Sequence, residues 1–158
     1  MTQPAFTPKP GQVDYTNIRY CPVVNVIPVY NGKALFVQRA ADLTFYPNYW
    51  HCIAGFLDDQ QSIEEKAHEE LGEELGWQAK DIIKLEHGRV VLTEAPEYGK
   101  TYLVVPVLAT VSQAAVKLDW EASRAKWFEP REIKELKLLP GFLDIVGQFF
   151  PEVTKEQR

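Results

Sequence analysis

Three glutamates, Glu70, Glu73 and Glu74, are the residues of this chain whose type and spacing best suit chemistry. Separations of three and four residues bring their carboxylates to one face of a helix, with Cβ atoms roughly 5–6 Å apart. In water such a cluster only repels itself. Beside a buried surface it is costly unless a cation neutralises it. Hard divalent ions take oxygen ligands of this kind and usually keep several waters. The spacing therefore predicts a Mg²⁺ or Mn²⁺ platform, against the plainer reading of a solvated, Glu-rich helix face.

The platform needs a rigid helix, and the neighbouring residues predict one. Ser62 suits the N-cap, and Glu65 completes a capping box with it. Ile63, Ala67, Leu71 and Leu75 recur at every fourth position and form one apolar stripe to bury. Gly76 suits the left-handed residue just past the helix end. Upstream, Gly55 opens the loop that enters the helix.

From Gly55 to Trp77 the residues resemble the Nudix box, G-x5-E-x7-R-E-U-x-E-E-x-G-U, with U a bulky apolar residue. Gly55, Glu70, Leu71, Glu73, Glu74, Gly76 and Trp77 stand at the matching positions. Gln61 replaces the first Glu of the pattern, and Glu69 replaces its Arg. In the family those two residues are taken to pair, the Arg helping to hold the catalytic carboxylates. The residues leave three readings open here. Gln61 and Glu69 keep a hydrogen bond of reversed polarity, Glu69 repels Glu73, or Glu69 adds a ligand. The resemblance extends to Val23–Gln38, Trp50–Gly55 and Trp127–Glu132, and so to most of the chain.

The resemblance implies an α/β fold, a Nudix-type α/β/α sandwich with a mixed β-sheet between helices. It also implies a hydrolase of a nucleoside diphosphate linked to another moiety, cut at the pyrophosphate bond. Glu73 and Glu74 are then expected as metal ligands, and Glu70 as a third ligand or the general base. Glu97 or Glu94, near a downstream hairpin tip, is the alternative base. Gly55 is expected to let the backbone approach the site. Arg39 offers a guanidinium fork to phosphate, and Lys100 and Arg89 are further candidates for a polyphosphate. Tyr49 and Trp50, in a loop that also holds Phe45 and Tyr46, are candidates for stacking on a base. Nucleotide sugars, ADP-ribose-like compounds and nucleoside triphosphates stay open as substrates, since Pro96 and Tyr98 miss the subgroup spacings. Two other readings stand beside hydrolysis. One is a catalytically weak domain that binds or regulates, motivated by Gln61 and Glu69. The other is an isopentenyl diphosphate isomerase, which needs a Cys where Ala54 stands. Cys52 lies two residues earlier.

Composition sets outer bounds. At 158 residues, with 46% hydrophobic content, the chain is expected to form one domain with a proper core. A net charge of −5 argues against a nucleic-acid surface. Cys21 and Cys52 lack framework spacing and read as buried thiols. No signal peptide or membrane-length apolar run is evident, which predicts a cytoplasmic protein with a small-molecule partner and leaves room for a homodimer. An extended arm over 1–20, one domain over 21–150 and a polar tail over 151–158 are expected. Within the domain the expected order is β-β-β-α-β-β-β-α-α. Asn31-Gly32 predicts a hairpin turn. Pro28 places the first strand at an edge or bulge, and His51 reads as structural. A closing helix is expected over Pro140–Phe150, its buried face carrying Phe142, Ile145, Val146 and Phe149.

Overall fold

In the computed structural model, which describes residues 7–153, an eight-stranded mixed sheet separates two apolar cores. The chain runs β1 (Tyr20–Tyr30), β2 (Lys33–Arg39), β3 (Trp50–His51), β4 (Ile53–Phe56), α1 (Ile63–Leu75), β5 (Ile82–His87), β6 (Val91–Ala95), β7 (Lys100–Val111), β8 (Ala122–Phe128), α2 (Pro130–Ile133) and α3 (Phe142–Val146). Helix α1 covers one face, where Ala67, Leu71 and Leu75 meet Val24, Val26, Leu35 and Val107. On the other face, residues of α2 and α3, Ile133, Phe142, Ile145 and Val146, pack with Phe36 and Phe128. This is the α/β/α sandwich the sequence predicts.

The Asn31-Gly32 turn forms as expected, with φ of 51° and 76°, and joins β1 to β2 through Tyr30 opposite Lys33. The strands then part. Beyond Val29, β1 takes β4 as its antiparallel neighbour on that side, from Val26↔Ile53 to Val23↔Phe56. Strand β2 turns to β3 and β8. Residues 50–56 therefore form two strands, broken at Cys52 where the chain changes partner. Strands β5 and β6 likewise pair in turn with β7, with one extra residue between His87↔Val107 and Val91↔Val104.

Strand β1 is central, paired in parallel with β7 from Tyr20↔Thr101 to Val29↔Thr110. The edge position inferred from Pro28 is thus corrected. Pro28 lies opposite the gap between the last β4 partner and the first β2 partner, where no ladder asks for its missing N–H. The closing helix is also shorter than expected. Gly147 ends α3, and Phe149 and Phe150 continue as turns bonded to Val146. The core reaches past Phe150: Pro151–Val153 forms a 3₁₀ turn with Val153 buried. Residues 1–6 of the expected arm and 154–158 of the expected tail lie outside the described residues.

The described part of the arm lies on the loop that enters α1. Val13 N–H donates to the Asp58 carbonyl at 2.7 Å, and Tyr15 stacks on Phe56 at 5.4 Å. Lys100, buried in β7, donates to the carbonyls of Tyr15, Thr16 and Ile18. Its ammonium is a clamp on the arm rather than the expected polyphosphate contact. Arg89 sits at the β5–β6 break, its N–H bonded to Gln148. Cys21 and Cys52 are free, buried thiols. Among the described residues no helix is long and apolar enough to cross a membrane.

Candidate active site

Helix α1 carries the acidic residues, and local sequence explains its ends. Ser62 accepts from Glu65 N–H at 3.1 Å, and the Glu65 carboxylate accepts from Ser62 N–H at 3.2 Å. Gly76 closes the helix at φ 77° and donates to Gly72 at 3.0 Å. With the apolar stripe seated on the sheet, the acidic residues lie along its flank. Glu74 is buried, Glu70 half-buried and Glu73 exposed. Glu74 accepts from Ala54 N–H at 3.2 Å, which ties the helix to β4.

Gly55 of β4 lies directly against Glu70. A Cβ added there would fall 2.3 Å from Glu70 Oε1 and 2.7 Å from its Cγ. The close approach expected of this glycine is thus real, and its beneficiary is the Glu70 side chain.

A fourth carboxylate completes the cluster. Glu121 precedes β8 and hydrogen-bonds to Glu74. Its backbone accepts from Ala40 N–H at 3.0 Å, and its own N–H is held by Asp119 at 3.0 Å. The β2–β8 register shifts between Gln38 and Arg39, so the chain is re-aimed where it meets the site. Sequence reasoning missed Glu121. It is a lone acid before a strand, and nothing local sets it apart.

Glu97 was the expected extra carboxylate, and it stands elsewhere. It is exposed and accepts from the Tyr46 hydroxyl at 2.5 Å. Glu94 accepts from Thr101 at 2.8 Å and faces Arg19. Glu97 thus ties the β6–β7 turn to the loop between β2 and β3, and Glu94 bonds within the hairpin.

Arg39 lies beside the carboxylates, within electrostatic reach of Glu121 and Glu74, with its Nε bonded to the Phe45 carbonyl at 2.9 Å. Burial holds the guanidinium below its usual range, and the carboxylates partly offset this. A cavity of about 50 Å³ opens between Arg39, His51, Cys52, Ala54, Glu74 and Glu121. A wider, open hollow lies apart from the acidic cluster, by Lys33, Glu129 and Arg131.

The aromatic candidates pack the loop down. Trp50 is a core residue, 7% exposed, edge-on to Phe128 at 5.2 Å and covered by Arg124 at 4.9 Å. Tyr49 has Lys137 over its ring at 4.3 Å and the edge of Tyr46 at 5.3 Å. Phe45 and Tyr46 close on Tyr98. His51 is buried edge-on to Phe142, and burial, helped by Arg39, drops its pKa to about 3. Cys52 lines the small cavity, but burial and then Glu74 push its thiol up, away from the nucleophilic form an isomerase would need.

Electrostatically the cluster is under-neutralised. Burial, then Glu73 and Glu121, push Glu70 up to about 8. Burial, then Glu121 and Glu70, raise Glu74 well above the ordinary range. Glu121 and Glu73 shift the same way, again chiefly by burial. Carboxylates gathered with so little counter-charge suit a hard divalent cation. Among the described residues no three acidic, imidazole or thiol groups already converge on one metal-holding point. Glu74 and Glu121 instead bond to each other. The donor set fits Mg²⁺ or Mn²⁺ in chemistry, and the ion would replace the shared proton.

The NUDIX domain model matches residues 19–148, which takes in the whole sheet, α1, Arg39 and Glu121. The chain belongs to the NUDIX domain family. It is 25% identical over 114 residues to Nudix hydrolase 19, chloroplastic, of Arabidopsis thaliana, a match that covers 72% of this chain. The match covers 25% of that protein, so the chain spans about a quarter of its length. Solved NUDIX structures share the fold at low identity. A NUDIX hydrolase from Nitrosomonas europaea superposes with a TM-score of 0.70 at 20% identity, over 85% of this chain and 90% of that one. The NUDIX domain of Shewanella oneidensis NrtR, complexed with ADP ribose, gives 0.69 at 19%, over 85% and 89%. A C. elegans Ap4A hydrolase binary complex gives 0.63 at 18%, over 86% and 98%.

The box's two departures have a structural counterpart. No Gln61–Glu69 bond forms, and the expected repulsion of Glu73 by Glu69 is present, second to burial in raising Glu73. Glu69 pairs with Lys66 at 3.0 Å, while Gln61 is exposed and its N–H caps Asp59. Lys66 also meets Asp59 at 2.9 Å and Asp58 at 3.4 Å.

Proposed function

We propose that this chain is a divalent-metal-dependent pyrophosphohydrolase acting on a nucleoside diphosphate joined to a second group. The observation that carries the reading is the gathering of Glu70, Glu74 and Glu121 beside Arg39, with Glu73 on the rim. Mg²⁺ or Mn²⁺ bound there would polarise phosphoryl oxygens and generate a nucleophile from water near neutral pH. Glu73 and Glu74 are the residues to hold it, with Glu121 reaching in from the β8 side. Glu70, in a proton-favouring place, accepts the proton of the attacking water. Arg39 neutralises phosphate charge. Gly55 leaves Glu70 the room to stand there. The ADP-ribose and Ap4A named with two structural neighbours support a substrate with a phosphate chain between two organic groups.

A binding or regulatory domain without turnover was motivated by the lost Arg–Glu pair. Lys66 restores a cation to that region, which favours hydrolysis.

The test is a hydrolysis screen of ADP-ribose, nucleotide sugars, dinucleoside polyphosphates and nucleoside triphosphates, with Mg²⁺ or Mn²⁺. Metal-dependent release of a nucleoside monophosphate is expected. Glu73→Gln and Glu74→Gln should lose it, and Glu70→Gln should slow it by about 10²–10⁴-fold. Wild-type rates in both Glu73→Gln and Glu74→Gln would refute the ligand assignment. Saturable binding with no product would favour the regulatory reading.

A further inference from the structure

Lys66 is a buried lysine, 3% exposed, and lysines are almost never that buried unless paired. Its Nζ meets Asp59 at 2.9 Å, Glu69 at 3.0 Å and Asp58 at 3.4 Å. Burial alone would disfavour the ammonium, but the bonds to Asp59 and Glu69 outweigh it and raise its pKa. The cluster is braced from outside the helix. Asp58 accepts from Gln12 Nε2 at 2.7 Å, and its carbonyl accepts from Val13 at 2.7 Å. On α1, Lys66, Glu69, Glu70 and Glu73 follow at i, i+3, i+4 and i+7, so the ammonium heads the row of carboxylates. Its field favours the ionised forms of both Glu70 and Glu73.

We propose that Lys66 is the positioning residue of the acidic helix. The cation that the box pattern supplies at position 69 is supplied here one turn earlier. Asp58 and Asp59, from the entering loop, take the part of the carboxylate missing at Gln61. Glu69, an acid where the pattern has a base, is then the correct partner for a cation at 66. The two departures from the pattern become one relocated ion pair. This inference rests on the metal-dependent reading of the site. It has a consequence opposite to simple restoration of the pattern. Placing Arg at 69 and Glu at 61 would set a guanidinium against the Lys66 ammonium and cost Lys66 a partner.

The test is calorimetric titration of the intact protein with Mn²⁺ alone, well below each variant's Tm. Lys66→Met should weaken Mn²⁺ binding about 10–100-fold, the range for losing a group that orients metal ligands. Lys66→Arg should stay close to wild type. The double change Gln61→Glu with Glu69→Arg should weaken binding, and adding Lys66→Gln should recover it. A merely structural lysine would lower Tm in Lys66→Met and leave Mn²⁺ affinity untouched, which would overturn the proposal. So would tighter Mn²⁺ binding by the double change with Lys66 in place. If Lys66→Met does not fold, Asp59→Asn removes one bond only. Weaker Mn²⁺ binding there supports the proposal, and unchanged binding overturns it. A wild-type protein that takes up no Mn²⁺ overturns the metal-dependent reading and this inference with it. Equal uptake by wild type and Lys66→Met overturns this inference alone.

Discussion

Gly55 acts through the atom it lacks. Its backbone is not in the left-handed region, so an alanine could adopt the same conformation. The obstacle is steric: the new methyl would sit 2.3 Å from Glu70 Oε1 and force that carboxylate to swing away. Gly55→Ala should therefore cost turnover far more than stability. We expect a fall in kcat with a Tm within a few degrees of wild type, measured on the substrate identified by the screen. A Gly55→Ala enzyme with wild-type kcat would show that Glu70 need not stand where it does. The same scale separates Trp50 from Gly55, two of the expected substrate residues. Trp50 on β3 faces the core, whereas Gly55 on β4 faces the acids.

At the scale of elements, α1 decides whether the acidic residues share one place. Its own hydrogen bonds and caps would leave an isolated helix of this length marginal. The stripe of Ala67, Leu71 and Leu75 on the sheet makes it rigid. Leu71 is fully buried and in helical phase lies next to Glu74, with Glu70 just beyond it. Leu71→Ala should destabilise the protein by about 2–5 kcal/mol through lost burial and the cavity left behind. Urea unfolding followed by circular dichroism checks this. A loss under about 1 kcal/mol would mean that the helix is held by its ends and flanks rather than its stripe. The bulge at Gln38–Arg39 is the matching device on β2, because it sets Arg39 and Glu121 side by side.

For the molecule as a whole, the gathered carboxylates should appear in its pH dependence. Glu70 has a folded pKa of about 8 against an ordinary 4.5. A carboxyl raised in this way contributes stability that is present at low pH and lost as pH rises through the folded value. Glu73, Glu74 and Glu121 carry the same sign. Buried His51 opposes them, since its folded pKa of about 3 against 6.5 removes stability as pH falls below 6.5. Between about pH 6.5 and 8 the carboxylates act unopposed by that histidine. In EDTA, Tm should fall across this window. Mn²⁺ should raise Tm more at pH 8 than at pH 6.5, as fewer protons compete for the oxygens. Thermal melts with and without Mn²⁺ measure both. A Tm that climbs from pH 6.5 to 8 in EDTA would contradict the burial of these acids against one another.

Short-range features of this protein are set by the sequence alone. The capping box of Ser62 and Glu65, the stop at Gly76, the Asn31-Gly32 hairpin and the row of acids on α1 depend on neighbours within about one helical turn or one tight turn. Those contacts are encoded wherever the local residues are. The spacing of Glu70, Glu73 and Glu74 thus sufficed to place the three acids together on one helix, α1. The tertiary structure decided what comes from afar. Glu121 reaches Glu74 only because β8 pairs with β2, and Trp50 loses its outer face only because Phe128 and Arg124 close on it. Pro28 fits a central strand because two different strands take up its flank in turn. Lys66 lies between these cases. Its spacing to Glu69 was legible, but its burial under Asp58, itself held by Gln12, depends on where the arm lies. Periodicity and caps report which side of an element is apolar, and pairing between distant strands decides which polar groups meet.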